Sequence, residues 1–411
     1  MHRRSLLLSA TALALCACAA PAPALSSSEP DAPVEPVTVN PSDTEFDTAL
    51  YRAVASQPGN QFVSAYSVSS AFVLLYPGAA GATGQEIARV FAFDASPQTE
   101  AQQTRTLADA LRAQTGGSEF TMANAAWVER SMSLRPEYAR TIRETLNGTI
   151  EQVDFIRNQA AALRTINAWA ARETRNRIPE ILTEADPMRR LVLTNAVYFK
   201  GKWSDQFSAN ATRDGDFFTG ANSRVPARLM RQLTNARYFE MPAFQAADFD
   251  YDDGAFALAV FLPRERTGLA AFEREITGQN LTTWMGQLAS AERTRLDLTL
   301  PKVEMRSDYS LVPQLQALGL RISFTDGADF SAITADETLA ISDVIHKTFL
   351  AIDEEGTEAA AVTAIDMRAT SAMPGPPPPP PIEFKADHPF FIVLHHKPTR
   401  VRLFLGRIAT V

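Results

Sequence analysis

In this 411-residue chain, the side chains that could support catalysis or bind a metal are five histidines and one acidic triplet. Histidine supplies general bases and metal ligands, and neighbouring carboxylates supply acid–base pairs. His395 and His396 are adjacent, so in a strand they point to opposite faces and cannot readily share a metal. His346 follows an apolar run, which is typical of a hydrogen-bonded core histidine, and Asp353-Glu354-Glu355 is typical of a solvated strand end. We therefore expect neither a metal nor a cofactor.

The sequence also lacks the motifs of common enzyme classes. It contains no Gly-x-Ser-x-Gly elbow, no phosphate-cradling Gly-rich loop and no His-Glu-x-x-His pair. Its 39 Lys and Arg residues against 47 Asp and Glu give a net charge of −8. Nucleic-acid binding requires clustered positive charge, and no such cluster is evident. We expect a protein that is not an enzyme and has no nucleic-acid partner.

The only two cysteines, Cys16 and Cys18, lie at the end of a segment that predicts export. A short basic head is followed by the apolar stretch 6–15, which is too short to span a bilayer as a helix. Leu15-Cys16-Ala17-Cys18 resembles a bacterial lipobox, which predicts removal of residues 1–17 and lipidation of Cys18. A plain signal peptide cut after an alanine is the alternative.

Residues 18–40 are rich in Ala, Pro and Ser, which predicts an extended tether. The expected location is the bacterial cell envelope, where a lipid at Cys18 would hold the protein on a membrane. The remaining residues, 41–411, contain no cysteine, so disulfides and thiol chemistry are excluded there. With 45% apolar residues in the chain, this part is predicted to be one globular domain held by its core.

Apolar periodicity predicts helices in the first half of this domain and strands in the second half. Helical signals are Phe46, Leu50 and Val54 at every fourth position, a capping pair Thr83-x-x-Glu86, and the Ala-rich stretch Ala160–Ile178. Leu191–Phe199 is apolar on both parities, which indicates a strand covered on both faces. Further predicted strands are Arg295–Leu300, Leu339–Ile352, Phe390–His395 and Val401–Leu405. Because there is no βαβ rhythm, we expect an α+β fold.

The segment 355–373 alternates with a period of two, which is typical of a strand with one buried face. One parity is small or apolar throughout: Thr357, Ala359, Ala361, Thr363, Ile365, Met367 and Ala369. The other parity contains the charges of Glu358, Asp366 and Arg368. The prolines 376–381 follow at once, and they cannot pair as an interior strand. The pattern fits an ordinary strand followed by a stiff loop, or a strand that is not always in its sheet.

Several ordered motifs resemble the serpin family over nearly the whole domain. They are Asn195-Ala-Val-Tyr-Phe-Lys-Gly-Lys-Trp203 with Phe207, Asp387-His-Pro-Phe-Phe391 with Leu405-Gly-Arg407, Ile166-Asn-x-Trp169 with Thr174, and Asp329-Phe-Ser331. The stretch from Glu354 to Ala361 resembles the mobile hinge of inhibitory serpins. The resemblance implies three β-sheets, about eight or nine helices and an exposed reactive-centre loop at about 355–382.

The resemblance also implies a suicide inhibitor. A target serine protease, with cysteine proteases as a second class, cleaves the loop, which then enters the main sheet and carries the acyl-enzyme with it. The protein would act as a monomer; a non-inhibitory serpin-like binding protein or chaperone is the alternative. The implied hinge residues are Glu355, Gly356, Thr357, Glu358, Ala359, Ala360 and Ala361.

Family spacing from the hinge glycine places the scissile bond at Thr370-Ser371, which implies an elastase-like or subtilisin-like target. A shifted register would expose Arg368, which implies a trypsin-like target, or Met373. A sheet-opening cluster is implied at Ser64, Ser67, Asn195, His346 and Trp203, although Ala65 replaces the usual proline between the serines. Ordinary core packing is the alternative role for these five residues.

Overall fold

A computed structural model describes residues 43–93, 96–113, 117–146, 148–252, 254–335, 338–357 and 379–411. The predicted signal 1–17 and tether 18–40 lie outside these ranges, as does the predicted lipidation site Cys18. The same holds for part of the predicted hinge and loop: Glu358, Ala359, Ala360, Ala361, Arg368, Thr370, Ser371 and Met373. Among the helices that the structure describes, none is long and apolar enough to cross a bilayer.

Nine α-helices lie within these ranges. They are α1 (Asp43–Val54), α2 (Ala65–Leu75), α3 (Gly81–Phe91), α4 (Pro97–Arg112), α5 (Pro136–Leu146), α6 (Gln159–Glu173), α7 (Leu269–Glu275), α8 (Gly278–Ser290) and α9 (Val312–Ala317). The predicted four-residue spacing in α1 is confirmed, since Leu50 and Val54 are fully buried. Apolar spacing therefore placed this helix against the core correctly.

Fifteen β-strands accompany the helices in the described ranges. They are β1 (Gln61–Val63), β2 (Glu119–Glu129), β3 (Thr149–Val153), β4 (Leu191–Lys202), β5 (Arg213–Phe218), β6 (Arg224–Glu240), β7 (Phe244–Asp250), β8 (Phe256–Pro263), β9 (Arg293–Pro301), β10 (Val303–Ser310), β11 (Asp343–Ile352), β12 (Gly356–Thr357), β13 (Ile382–Lys385), β14 (Phe390–His396) and β15 (Val401–Ile408). The α+β prediction is confirmed.

Hydrogen bonds join these strands into two networks. The larger has the order β1-β15-β14-β8-β7-β6-β9-β13, with β5 paired to β6. The long strand β6 pairs with β5, β9 and β7 along successive parts of its length, so it links a β5–β9–β13 group to a β7–β8–β14–β15–β1 group. The second network is a six-stranded sheet with the order β10-β11-β12-β4-β2-β3. This sheet and the two groups of the first network are the three predicted sheets.

The six-stranded sheet is covered on both faces. On one face, α6 packs through Ile166 and Trp169 against Trp127 and Val192. On the other face, α2 belongs to a large core cluster that includes Leu193 of β4. The first nine residues of β4 are accordingly all buried, which confirms the prediction of a strand covered on both sides.

Two predicted helix boundaries are wrong. Thr83 and Glu86 do not cap α3, because Thr83 Oγ1 accepts the Asp329 amide at 2.8 Å and Glu86 Oε1 accepts the Arg321 amide at 2.7 Å. The local pattern was right for a cap, but both side chains bind a distant segment. The Ala-rich helix ends at Glu173 rather than at Ile178, and the connection that follows contains two residues with positive φ angles, Arg175 and Asn176.

Candidate functional site

The candidate site is the seam between β4 and β11, where a short strand enters the six-stranded sheet. The two strands pair in parallel up to the position where Tyr198 faces Phe349. Beyond that position β12 lies between them and runs antiparallel to both, with Thr357 opposite Gly201 and Ile352. Within the described part of the predicted hinge, Glu355 to Thr357, the last two residues therefore form a short strand of this sheet.

A tight turn leads the chain from β11 into β12. Asp353 Oδ1 accepts the amides of Glu355 at 2.9 Å and Gly356 at 3.2 Å, and the Asp353 amide donates to the Gly356 carbonyl at 2.9 Å. Burial raises the pKa of Asp353, and these backbone hydrogen bonds oppose the rise. A carboxylate that accepts two amides fixes the turn, so the acidic triplet is not simply a solvated strand end.

Glu354 ties the start of this turn to two neighbouring connections, the one before β5 and the one between β9 and β10. Its carboxylate accepts the Thr212 hydroxyl at 2.7 Å and forms an ion pair with Lys302. Burial works to raise the pKa of Glu354, but hydrogen bonds from Lys302 and Thr212 outweigh it and lower the pKa. The chain before the hinge is thus anchored by side chains that lie at the ends of other strands.

Thr357 is fully buried at the open end of the seam. Its hydroxyl lies 2.6 Å from the Tyr251 hydroxyl, and Tyr251 stacks on Trp203 with ring centres 4.7 Å apart. Trp203 holds the turn with two hydrogen bonds, from its amide to the Glu355 carbonyl at 2.8 Å and from Nε1 to the Asp353 carbonyl at 2.9 Å. The side chain at position 357 therefore has room for a small uncharged group only.

Gly356 lies where two backbones come unusually close. A Cβ atom at this position would lie 1.9 Å from the Gly201 carbonyl oxygen and 2.6 Å from the Lys202 Cα. Both obstacles are backbone atoms, so they cannot move aside as a flexible side chain would. Glycine is required here by this close approach of the hinge to β4.

Four of the five predicted sheet-opening residues meet in one buried cluster behind the closed part of the seam. Ser64, at the start of α2, accepts the Ser67 amide through Oγ at 3.2 Å and donates its own amide to His346 Nε2 at 3.1 Å. Asn195 donates from Nδ2 to the Ser67 carbonyl at 3.0 Å, and its Oδ1 contacts His346 Nδ1. These contacts join α2 to both strands of the seam, and Trp203 lies apart from them at the open end.

The contacts of His346 define its neutral tautomer. Nε2 accepts the Ser64 amide, so the proton of the neutral ring is assigned to Nδ1, which donates to Asn195. The ring is fully buried, and this burial lowers the pKa of His346 from 6.5 to about 3. His346 is a core histidine, as its apolar context predicts, and it is satisfied on both nitrogens.

Sequence reasoning missed three participants in this site. Asn124 of β2 accepts a hydrogen bond from Asn195, Tyr309 of β10 lies over His346 with ring centres 6.2 Å apart, and Tyr251 contacts Thr357. Asn124 carried one usable signal, because it is the only side-chain amide in the run Ala123–Val128, whose other residues are all buried. No sequence signal marked the two tyrosines, which reach the seam from strands distant in sequence.

The contacts of the site hold a short strand in the sheet. Its hydrogen bonds connect backbone and side chains within the sheet, and among the described residues no three metal-ligating side chains come together. His395 and His396 instead bind Asp248 and Thr399, at 2.9 Å and 2.8 Å.

Residues 41–411 match the family model described as Serpin (serine protease inhibitor). The chain therefore belongs to the serpin family, and the predicted family fold is confirmed. As a class, serpins are protease inhibitors rather than catalytic enzymes.

Individual relatives agree with this assignment. An uncharacterized serpin-like protein of Thermococcus kodakarensis is 35% identical over 365 residues, which cover 88% of this chain and 83% of that protein. The leukocyte elastase inhibitor of Bos taurus is 31% identical, with 90% of this chain and 98% of the inhibitor covered. The crystal structure of uncleaved ovalbumin matches with a TM-score of 0.80 at 25% identity, covering 91% of this chain and 100% of ovalbumin.

Proposed function

We propose that this protein inhibits serine proteases as a suicide substrate. The protease serine oxygen attacks the carbonyl carbon of Thr370, the bond to the Ser371 nitrogen breaks, and that nitrogen takes up the proton that the serine loses. The freed loop extends β12 into the seam before water hydrolyses the ester. The acylated protease is carried along and remains trapped.

The observation that carries this proposal is the position of Thr357. It is fully buried and paired with both Gly201 and Ile352, which makes it the first residue of β12 that pairs with both strands of the seam. The residues that follow on the same parity in the sequence, Ala359 and Ala361, are small and uncharged. Small side chains can enter a packed sheet without burying a charge, which would cost several kcal/mol.

Sequence spacing supports an elastase-like or subtilisin-like target, with cleavage after Thr370. Cleavage after Arg368 would instead indicate a trypsin-like target, and Met373 is the third position to test. Cysteine proteases are a second target class. The lipobox supports an envelope location with Cys18 lipidated, and the protein would act there as a monomer.

The test incubates the exported form with a panel of elastase-like, subtilisin-like and trypsin-like proteases and separates the products on denaturing gels. We expect a covalent complex together with a released fragment that begins at Ser371, identified by mass spectrometry. Cleavage without a complex, for every protease in the panel, would overturn the proposal and favour a non-inhibitory binding protein or chaperone.

Thr357→Arg is the matched variant for the hinge. An arginine here would place an unpaired charge at a fully buried position, so we expect normal folding but cleavage in place of complex formation. Thr283→Arg makes the same change at an exposed position of α8, away from the seam, and serves as the control, with complex formation retained. Undiminished inhibition by Thr357→Arg would contradict the role of the hinge.

A further inference from the structure

Arg177 bridges the two strands of the seam at a single position. It lies in the connection between α6 and β4, and its guanidinium carbon is 5.8 Å from the centre of the Phe349 ring. The same side chain hydrogen bonds to the Tyr198 hydroxyl. Tyr198 of β4 and Phe349 of β11 face each other in the parallel ladder, and both are buried. Arg177 therefore contacts both halves of one cross-strand pair.

This pair is the last closed pair of the seam. The parallel ladder between β4 and β11 ends where Tyr198 faces Phe349, and Thr357 of β12 already lies between the strands just beyond that point. A strand that grew from β12 would have to separate these two side chains first. Arg177 thus lies where a lengthening strand would meet resistance.

The connection that carries Arg177 is held in a costly backbone conformation. Arg175 and Asn176 both have positive φ angles, 49° and 63°, which side-chain-bearing residues adopt rarely and at a cost of about 1 kcal/mol or more each. Tertiary contacts stabilise them: Arg175 forms an ion pair with Glu119 of β2 at 2.7 Å, and Thr174 Oγ1 accepts the Ile178 amide at 2.9 Å. This geometry directs the next residue, Arg177, over the seam.

Arg306 of β10 holds Arg177 from the other side. Its Nη1 donates to the Arg177 carbonyl at 2.7 Å, and its guanidinium carbon lies 4.6 Å from the centre of the Phe349 ring. Two cations thus cover one buried aromatic ring. The connection is tied to β2 through Arg175 and to β10 through Arg306, so it spans the seam from one flanking strand to the other.

We infer that Arg177 is a latch: a positioning residue that sets the rate at which the seam opens to an added strand. The inference rests on the proposed function, in which the loop enters this seam. Opening separates Tyr198 from Phe349, so Arg177 loses its hydrogen bond or its cation–π contact, or both. The loss of both the hydrogen bond and the cation–π contact at a partly exposed site corresponds to about a tenfold change in the opening rate.

Hydrogen exchange of the full-length protein tests the latch without any protease. We expect the amides of residues 198–202 and 349–352 to exchange about tenfold faster in Arg177→Ala than in the wild type. Arg172→Ala is the matched control, because Arg172 lies five residues earlier and pairs with its exposed neighbour Glu173. It should leave these rates unchanged. Equal rates in Arg177→Ala and the wild type would overturn the inference.

Two more variants keep the inference testable if Arg177→Ala does not fold. Arg177→Lys retains a cation but not the planar guanidinium, so an intermediate exchange rate is expected. Arg306→Gln removes the second cation and the contact to the Arg177 carbonyl, so it should also speed exchange. Rates unchanged in both variants would overturn the inference.

Complex formation separates this inference from the proposed function. If the wild type traps a protease but Arg177→Ala and the wild type exchange at equal rates, the inference about Arg177 is wrong and the proposed inhibition is supported. If exchange is faster in Arg177→Ala but no protease is ever trapped, the latch holds the sheet and the proposed function fails.

Discussion

His346 should make the folded protein sensitive to mild acid. The ring is fully buried, Nε2 accepts the Ser64 amide, and Nδ1 contacts Asn195. A second proton can be added only at Nε2, where it would displace the Ser64 amide at a fully buried position. This is why burial lowers the pKa of His346 to about 3, whereas in the unfolded chain the residue titrates near 6.5.

The sign and size of the effect follow from linkage. Between about pH 6.5 and pH 3 the unfolded chain binds a proton at His346 and the folded protein does not. The stability that the neutral ring contributes is therefore fully present above pH 6.5 and is lost progressively as the pH falls. At pH 5 the unfolded state is favoured by about 2 kcal/mol relative to neutral pH, from about 1.4 kcal/mol per pH unit.

The assay compares urea unfolding of the wild type and His346→Gln at pH 7.5 and pH 5.0. Glutamine can still donate and accept hydrogen bonds but does not titrate, so groups other than His346 cancel in the comparison. We expect the wild type to lose about 2 kcal/mol more free energy of unfolding than the variant. Equal losses would refute the assignment of a buried neutral ring, whatever the absolute stability of the variant.

Two further substitutions test the packing around the hinge and the core. Gly356→Ala places a Cβ atom 1.9 Å from the Gly201 carbonyl oxygen, so β12 should leave the seam. The Thr357 amide should then lose its protection from hydrogen exchange. Retained protection would contradict the close approach. Arg402→Leu removes the ion-pair partner of the buried Asp47, and burial raises the pKa of Asp47 to about 6. In urea titrations at pH 7.5, the free energy of unfolding should therefore fall by about 3–5 kcal/mol. At pH 5 part of this loss should be recovered. A loss below about 1 kcal/mol would contradict the ion pair's buried geometry.

One strand of the seam, β4, was predictable from sequence because its burial is continuous over nine residues. Leu191–Phe199 is apolar on both parities, and a strand covered on both faces is the simplest structure that satisfies such a run. The polar residues Ser64, Ser67, Asn195 and His346 were identified only through family resemblance. Their spacing along the chain carries no signal, since the shortest link between α2 and the strands spans 128 residues.

The parts that sequence did not predict depend on contacts between distant strands. Composition favoured a helix as far as Ile178, but the helix ends at Glu173. The residues that follow instead form tertiary contacts, the ion pair of Arg175 with Glu119 and the cation–π contact of Arg177 with Phe349. Tertiary contacts here outweigh a helix propensity of a few tenths of a kcal/mol per residue.

The hydrogen-bond ladders of the seam bear on the strand insertion that we propose. Closing the seam uses one parallel ladder, which runs over seven register positions from Asp343 to Phe349. An inserted strand continues the pattern of β12, which pairs antiparallel with β4 and β11 at once. Each position that opens therefore exchanges one parallel ladder for two antiparallel ones, and antiparallel pairing is slightly more stable per residue. Backbone pairing thus favours insertion.

In the proposed mechanism, side chains on the two faces of the seam are the contacts that oppose insertion before cleavage. On one face, Asn195 and His346 connect both strands to α2. On the other face, Arg177 of the connection after α6 contacts both Tyr198 and Phe349. Because these contacts are lost before the new ladders form, they act on the barrier more than on the final stability. Variants at Arg177 should therefore change how fast the sheet opens and leave the stability of the inserted state nearly unchanged.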